Sequence, residues 1–366
     1  MNRAHNFCSG PCTLPVSVLE RLAADIVDYQ GSGMSLLEMS HRSDIYDRVH
    51  HHTIDLLRRV CAVPDEFNIL LLQGGASLQF AMIPMNLLGP GRSAGYVLSG
   101  TWGKGAYADA SRIGEAYVAW DGNDSGFTTM PAASDLEVRP GVDYIHTTSN
   151  ETIGGVRMPD LFGLDVPQVI DMSSDFLTRP IPWDNYDVVY GGAQKNLGPA
   201  GLTIVFVRKT ALDQAPPDLP KYLDLAVHAK TDSLANTPPM FSIWATGLML
   251  EWIIEQGGIE AMNAAADLRS GMVYDTIDAS DGFYRSPVAV DVRSKCNMVW
   301  RIADGPGDID LEAKFLAEAE DLSLLNLKGH RSVGGIRSSI YNGLPTSSVQ
   351  ALVDFMTEFA STNSKQ

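Results

Sequence analysis

At 366 residues the chain exceeds the usual size of one compact core, so two domains are expected. Its 45% hydrophobic and 19% charged residues fit a globular enzyme, and a formal net charge of −17 disfavours nucleic acid or an anionic membrane as partner. Cys8, Cys12, Cys61 and Cys296 follow no zinc spacing and are too few for a disulfide scaffold.

The first six residues lack the apolar core of a secretory signal, and no window reaches the ~18–20 apolar residues of a membrane span. A soluble, cytoplasmic protein is expected. Residues 7–11 read as a loop, after which Pro15 opens a helix with Val18, Leu19, Leu22, Ala23, Ile26 and Val27 on one face, closed by Gly31-Ser32-Gly33. A second helix carries Ile45, Val49, Leu56, Leu57 and Val60. Its consecutive His50, His51 and His52 point around the helix, which suits a partly solvated face better than a metal.

Residues 68–72 form a short apolar strand running into Gln73-Gly74-Gly75-Ala76-Ser77, with a helix from near Leu78 to Leu88. Strand, glycine turn and helix start offer free N–H groups and positive dipole to a phosphate. The same residues also suit a plain tight turn with Ser77 as N-cap. Further strands are expected at 94–98, 117–120, 144–148, 169–171, 187–190 and 202–207. Trp102 follows the first, as core anchor or stacking face. Thr152 lies beyond the third, and Asp171 ends the fourth.

This alternation predicts an α/β fold with a mostly parallel sheet covered by helices on both faces, its ligands gathered beyond the strand C-termini. After a proline-rich loop at 214–220 and Asn236-Thr237-Pro238-Pro239, an apolar helix spans 241–255. Past Gly257 a helix at 259–277, a strand at 297–302 and helices at 311–320 and 347–359 read as a smaller α+β unit. The expected division is a large domain of residues 16–257 and a small one of 1–15 with 258–366.

Lys195 lies between two predicted strands, in a stretch from Gly191 to Gly201 with little side-chain bulk. That setting suits a Schiff base with an aldehyde cofactor, or a glycine-rich turn with a solvated lysine. Asp171 at a buried strand tip is costly unless paired, although Asp is also a common cap. Pyridoxal 5′-phosphate (PLP) would employ these residues together. Lys195 would form the internal aldimine and move the proton, its amine shifted below the usual ~10.4. Asp171 would pair with the ring nitrogen, Gly75, Ala76 and Ser77 would take the phosphate, Trp102 would stack on the ring, and Thr152 would reach the phenolic oxygen. Five cations in loops, His41, Arg42, His330, Arg331 and Arg337, exceed what a simple amino acid needs. Arg337 suits an α-carboxylate and the others a second anion such as a phosphate, while any one alone also suits a surface ion pair.

Six stretches then carry a resemblance: Asn6-Phe7-Cys8-Ser9-Gly10-Pro11, Ser40-His41-Arg42, Asn150-Glu151-Thr152-Ile153, Gly192-Ala193-Gln194-Lys195-Asn196, Asn236-Thr237-Pro238-Pro239 and Gly329-His330-Arg331. In order and spacing they resemble the phosphoserine aminotransferases, PLP-dependent class V aminotransferases of fold type I, over nearly the whole chain. The resemblance implies amino transfer between glutamate and 3-phosphohydroxypyruvate in serine biosynthesis. It implies that Lys195 is the aldimine lysine, Asp171 the ring-nitrogen partner, and Trp102, Thr152 and Gln194 the cofactor's lining. It further implies a homodimer with shared sites, Asn236 and Thr237 reaching the neighbouring subunit's cofactor phosphate. His41 and Arg42 cross towards the substrate phosphate, with His330 and Arg331 nearby and Arg337 on the carboxylate.

Many members carry an Arg after the paired glycines, where this chain has Ala76-Ser77. Recognition of the substrate phosphate then rests more heavily on His41, Arg42, His330 and Arg331. Serine–glyoxylate type transamination, cysteine desulfuration and a PLP-binding scaffold without turnover remain as alternatives, and desulfuration needs a reactive thiol, for which only Cys8 and Cys12 lie in a suitable loop.

Overall fold

The computed structural model describes residues 3–89, 91–216, 218–303 and 310–364. Pro217 of the proline-rich loop and both extreme ends of the expected small domain lie outside these. In chain order the elements are β1 (His5–Asn6), α1 (Val16–Asp25), α2 (Asp44–Val60), β2 (Phe67–Leu72), α3 (Gly75–Leu87), β3 (Ser93–Leu98), α4 (Thr101–Ala110), β4 (Glu115–Asp121), β5 (Tyr144–Thr148), β6 (Gln168–Asp171), β7 (Val188–Gly192) and β8 (Thr203–Arg208). There follow α5 (Leu225–Lys230), α6 (Met240–Glu255), α7 (Gly258–Asp278), β9 (Tyr284–Arg285), β10 (Asn297–Ile302), α8 (Leu311–Asp321), β11 (Leu324–Leu325), β12 (Ile336–Ser339) and α9 (Thr346–Asn363).

A seven-stranded sheet in the order β2-β8-β7-β6-β5-β3-β4 forms the centre of the fold. Its strands are short apolar runs because both faces are covered. Alternation sends Ile170, Val189, Ile204 and Phe206 into a core with α1, α2 and α6. Val169, Val188, Tyr190 and Val205 point the other way, into a core with α3 and α4. Helix α6, apolar around its circumference, is buried along most of its length. The sheet is the mostly parallel one expected, with one exception: β8 runs antiparallel to both β2 and β7.

A second core joins Phe7 to α7, α8, α9 and strands β9, β10 and β12. Strand β1 adds to it by pairing in parallel with β11. Two local expectations are corrected. Helix α1 stops at Asp25, leaving Val27 80% exposed, and of its predicted stripe only Val18 and Leu22 are buried, Leu19 being 37% exposed within the helix. In α2, His51 and His52 do face solvent beside Asp47 and Glu251. His50, however, is fully buried between the Tyr46 hydroxyl and the Asp232 carbonyl. Among the described residues no helix is long and apolar enough to cross a membrane, and no cluster of His, Cys, Asp or Glu could hold a metal ion.

Candidate active site

The site is built where β5, β6 and β7 end. Register pairs Thr148 with Asp171 and Asp171 with Tyr190, so Asp171 leaves the sheet on the face covered by α3 and α4. Its burial raises the carboxyl pKa, opposed by the nearby Lys195 charge and by donors from Ser173. Ser173 N–H and Oγ donate to Asp171 Oδ1 at 2.8 and 2.5 Å, and Ser173 Oγ also receives the Gly192 N–H at 3.2 Å. The carboxylate is thus tied through Ser173 to the end of β7, just before Lys195.

Lys195 follows β7 in the turn to β8 and is only 8% exposed. Its Nζ donates to Thr152 Oγ1 at 2.6 Å and stands 5.4 Å from the centre of the Trp102 ring. The reading of a solvated lysine is therefore excluded. Burial lowers its pKa, and the carboxylates of Asp171 and Glu151 partly restore it. The N-terminal loop crosses its stem: a Cβ on Gly10 would sit 3.7 Å from Lys195 Cγ. Gln194, half-buried, accepts the Cys12 N–H through its carbonyl at 2.8 Å.

Arg337 reaches the same place from β12. It donates to the Thr152 carbonyl at 3.1 Å and to Ser9 Oγ at 2.8 Å. Behind it a buried polar chain joins the sheet to the second core. Asn150 donates to Asn297 at 2.8 Å, Asn297 donates to the Tyr341 hydroxyl at 3.1 Å, and Tyr341 donates to the Ser9 carbonyl at 2.9 Å.

The phosphate-ready turn starts earlier than predicted. Helix α3 begins at Gly75 with Gly74 as N-cap, so Ala76 and Ser77 lie in its first turn and Ser77 is not the cap. Gly74 and Gly75 have φ of +91° and +67°, a backbone that L side chains resist, and apart from its chain neighbours and its own helix backbone no atom of the described residues lies within 4 Å of a Cβ built at Gly75. This open cradle of N–H groups fits a phosphate. The Trp102 indole N–H is buried without a partner among the described residues, beside the Lys195 amine and on the sheet's Asp171 face. Together these residues fit PLP: amine, buried anion, aromatic face and anion cradle.

The remaining predicted residues form two further groups. His41 Nδ1 and Thr237 Oγ1 meet at 3.4 Å, and Asn236 Nδ2 donates to Gln73, the residue before the glycine pair, at 3.1 Å. Arg42 is exposed beside His41. His330 caps its own turn through Ser332 Oγ at 2.7 Å, and Arg331 is exposed next to it. Among the described residues neither Arg42 nor Arg331 forms an ion pair within 4 Å.

Sequence reasoning missed three acidic or hydroxylic supports. Ser173 is one. Asp175 is another: it accepts a hydrogen bond from Ser149 Oγ and forms ion pairs with Arg179 Nη2 at 2.8 Å and Arg157 Nε at 3.5 Å, all of them buried. Glu151 is the third, wholly buried against the start of α4. The small residues Ser99, Gly100 and Gly103 around Trp102 were the one available signal that another group fills that space. Burial pushes the Cys12 thiol up to about 12, which removes it as the thiolate that desulfuration would need.

The aminotransferase class-V family matches residues 4–352. A phosphoserine aminotransferase of Laribacter hongkongensis is 45% identical over 97% of this chain and 98% of its own length. The solved phosphoserine aminotransferase of Bacillus circulans subsp. alkalophilus superposes with a TM-score of 0.95 at 44% identity, covering 98% of this chain and 99% of that one. A PLP-bound phosphoserine aminotransferase of Trichomonas vaginalis gives 0.91 at 36% identity, covering 97% and 100%. The chain belongs to the class-V aminotransferases and, within them, to the phosphoserine aminotransferase family.

Proposed function

We propose that the chain catalyses reversible amino transfer between O-phospho-L-serine and 2-oxoglutarate, giving 3-phosphohydroxypyruvate and L-glutamate in serine biosynthesis, with PLP as cofactor. One observation carries this reading: the buried Lys195 amine, held by Thr152 and facing Trp102, stands where Asp171 leaves the sheet. Full-length likeness to phosphoserine aminotransferases supports the substrate pair.

When bound, PLP supplies an electrophilic carbon and an electron-withdrawing ring. Lys195 would hold that carbon. Its Nζ, when free, would be the base for the proton on the substrate Cα, a role favoured by the lowering of its pKa through burial. Thr152 Oγ1 keeps Nζ oriented. Asp171 is the buried anion for a protonated ring nitrogen, oriented by Ser173. Ala76 and Ser77, at the α3 N-terminus, receive the cofactor phosphate. Trp102 and Gln194 would line the ring, Trp102 shielding it from water. Arg337 takes the α-carboxylate; His41, Arg42, His330 and Arg331 take the substrate phosphate.

Within this reading the enzyme is a cytoplasmic homodimer with shared sites, His41, Arg42, Asn236 and Thr237 serving the partner's. Support comes from the meeting of His41 with an exposed Thr237 on one outward face, and from four free cysteines, as a reducing compartment requires. Residues 16–257 form the cofactor-holding unit, and 1–15 with 258–366 the smaller one. The packing of Phe7 among α7, α8 and α9 favours that division.

The test is direct. Purified protein with PLP should show a visible or near-ultraviolet band and transaminate O-phosphoserine with 2-oxoglutarate. Wild-type protein that does neither refutes the reading.

A further inference from the structure

We propose that Glu151 is a positioning residue: its buried carboxylate, seated on the Trp102 and Gly103 N–H groups, fixes the first turn of α4 and so sets the Trp102 ring against the Lys195 amine. The inference rests on the PLP reading above and adds to it a group that lies behind the cofactor's stacking face.

Helix α4 has Gly100 as N-cap, so no side chain of its own satisfies the first N–H groups. Glu151 does so from the end of β5, 49 positions away. Trp102 N–H donates to its Oε2 at 3.1 Å and Gly103 N–H to its Oε1 at 2.9 Å, with Ser99 Oγ at 3.4 Å. An anion there meets the positive end of the helix. The seat is made by Gly100: a Cβ at that position would lie 2.5 Å from the Glu151 carboxyl carbon. The next residue, Thr152, holds Lys195 Nζ. One short segment therefore fixes both the amine and the ring that faces it.

A plain cap would not matter to the chemistry, but this one is charged and close. Glu151 and Asp171 both raise the Lys195 pKa by their charge. Around Glu151, Asp171 on β6 and Lys195 after β7 are the charged neighbours, acting in opposite senses. Burial holds its carboxyl up to about 7. Protonation removes one acceptor from the α4 N–H pair and the anion from beside Lys195.

The decisive variant is Glu151→Gln, which keeps the shape, places a donor against an N–H group and removes the charge. Its PLP dissociation constant should rise about tenfold, the loss of one charge-assisted hydrogen bond. The KM for O-phosphoserine should stay within about twofold, because no substrate contact is removed. The visible band of bound PLP should change at lower pH than in wild type, since loss of an anion lowers the proton affinity of the Lys195 nitrogen. A lower melting temperature with wild-type PLP affinity and an unmoved pH profile would overturn the inference, leaving Glu151 a structural cap. Should E151Q not fold, Gly100→Ala decides: its methyl displaces the carboxylate while keeping the charge, and it must also weaken PLP binding. Unchanged binding in G100A overturns the inference. Wild-type protein in the same titration and assay tests the PLP reading separately, since its failure there sinks that reading whatever E151Q does.

Discussion

Lys195 Nζ donates to the Thr152 hydroxyl at 2.6 Å, joining two loops 43 positions apart that follow neighbouring parts of the sheet. The bond aims a buried amine, and a buried amine without an acceptor is costly. Thr152→Val, nearly isosteric, should therefore lower kcat about tenfold while leaving the fold intact. Lys195→Ala should cost at least roughly 10²–10⁴-fold, because it removes the proton carrier itself. Steady-state rates with O-phosphoserine, beside melting curves, check both. A T152V enzyme at full speed would show that the hydroxyl does not orient the amine.

Arg42 and Arg331, exposed and without an ion pair among the described residues, make a sharper test of the substrate. Arg42→Ala and Arg331→Ala should each lower kcat/KM for O-phosphoserine by about 10- to 100-fold, the worth of a charge-assisted contact to phosphate. Turnover of serine, which lacks the phosphate, should change far less. Equal losses on both substrates would remove the phosphate role from that arginine.

Strands at 144–148 and 297–302 were legible to the residue, because a short β-rich run bounded by turn residues has few other uses. The antiparallel course of β8 was not read, although it was open to argument: the stretch from Ala193 to Leu202 is too short for a parallel crossover. The false end of α1 came from extending a stripe over Ile26 and Val27, where apolar residues remain on the surface. In the site, Asp171 and Lys195 were legible because a buried charge and a crowd of glycines are each unusual. What supports them was not. Thr152 meeting Lys195, Ser173 holding Asp171 and Glu151 capping α4 are contacts between loops distant in sequence, set by sheet order that no local pattern encodes.

The proposed sharing of sites between subunits predicts complementation: a chain bearing Lys195→Ala would still offer its Arg42 to a partner, and a chain bearing Arg42→Ala would still offer its Lys195. Mixed at random, half of the dimers would then contain one intact site, giving about a quarter of wild-type activity. Refolding or co-expressing the two variants and assaying O-phosphoserine turnover checks this. Activity no higher than the sum of the parents would place His41 and Arg42 in their own chain's site, and Asn236, already bonded to Gln73, with them.

Two buried groups set opposite pH dependences on stability. His146, hydrogen-bonded to the Tyr190 hydroxyl at 2.8 Å, is held by burial at about 3 against an ordinary 6.5. The unfolded chain takes that proton first, so this contribution is whole above pH 6.5 and is lost as pH falls towards 3. Glu151, held at about 7 against 4.5, contributes stability that is whole below 4.5 and lost as pH rises through 7. Between pH 7 and pH 5 each amounts to about 2 kcal/mol, with opposite signs, so in the apo-protein they nearly cancel. His146→Gln should therefore gain about 2 kcal/mol on acidification from pH 7 to 5, relative to wild type, and Glu151→Gln should lose about as much. Urea unfolding of the three apo-proteins at the two pH values measures it. Parallel changes in all three would mean that neither group is held away from its ordinary pKa.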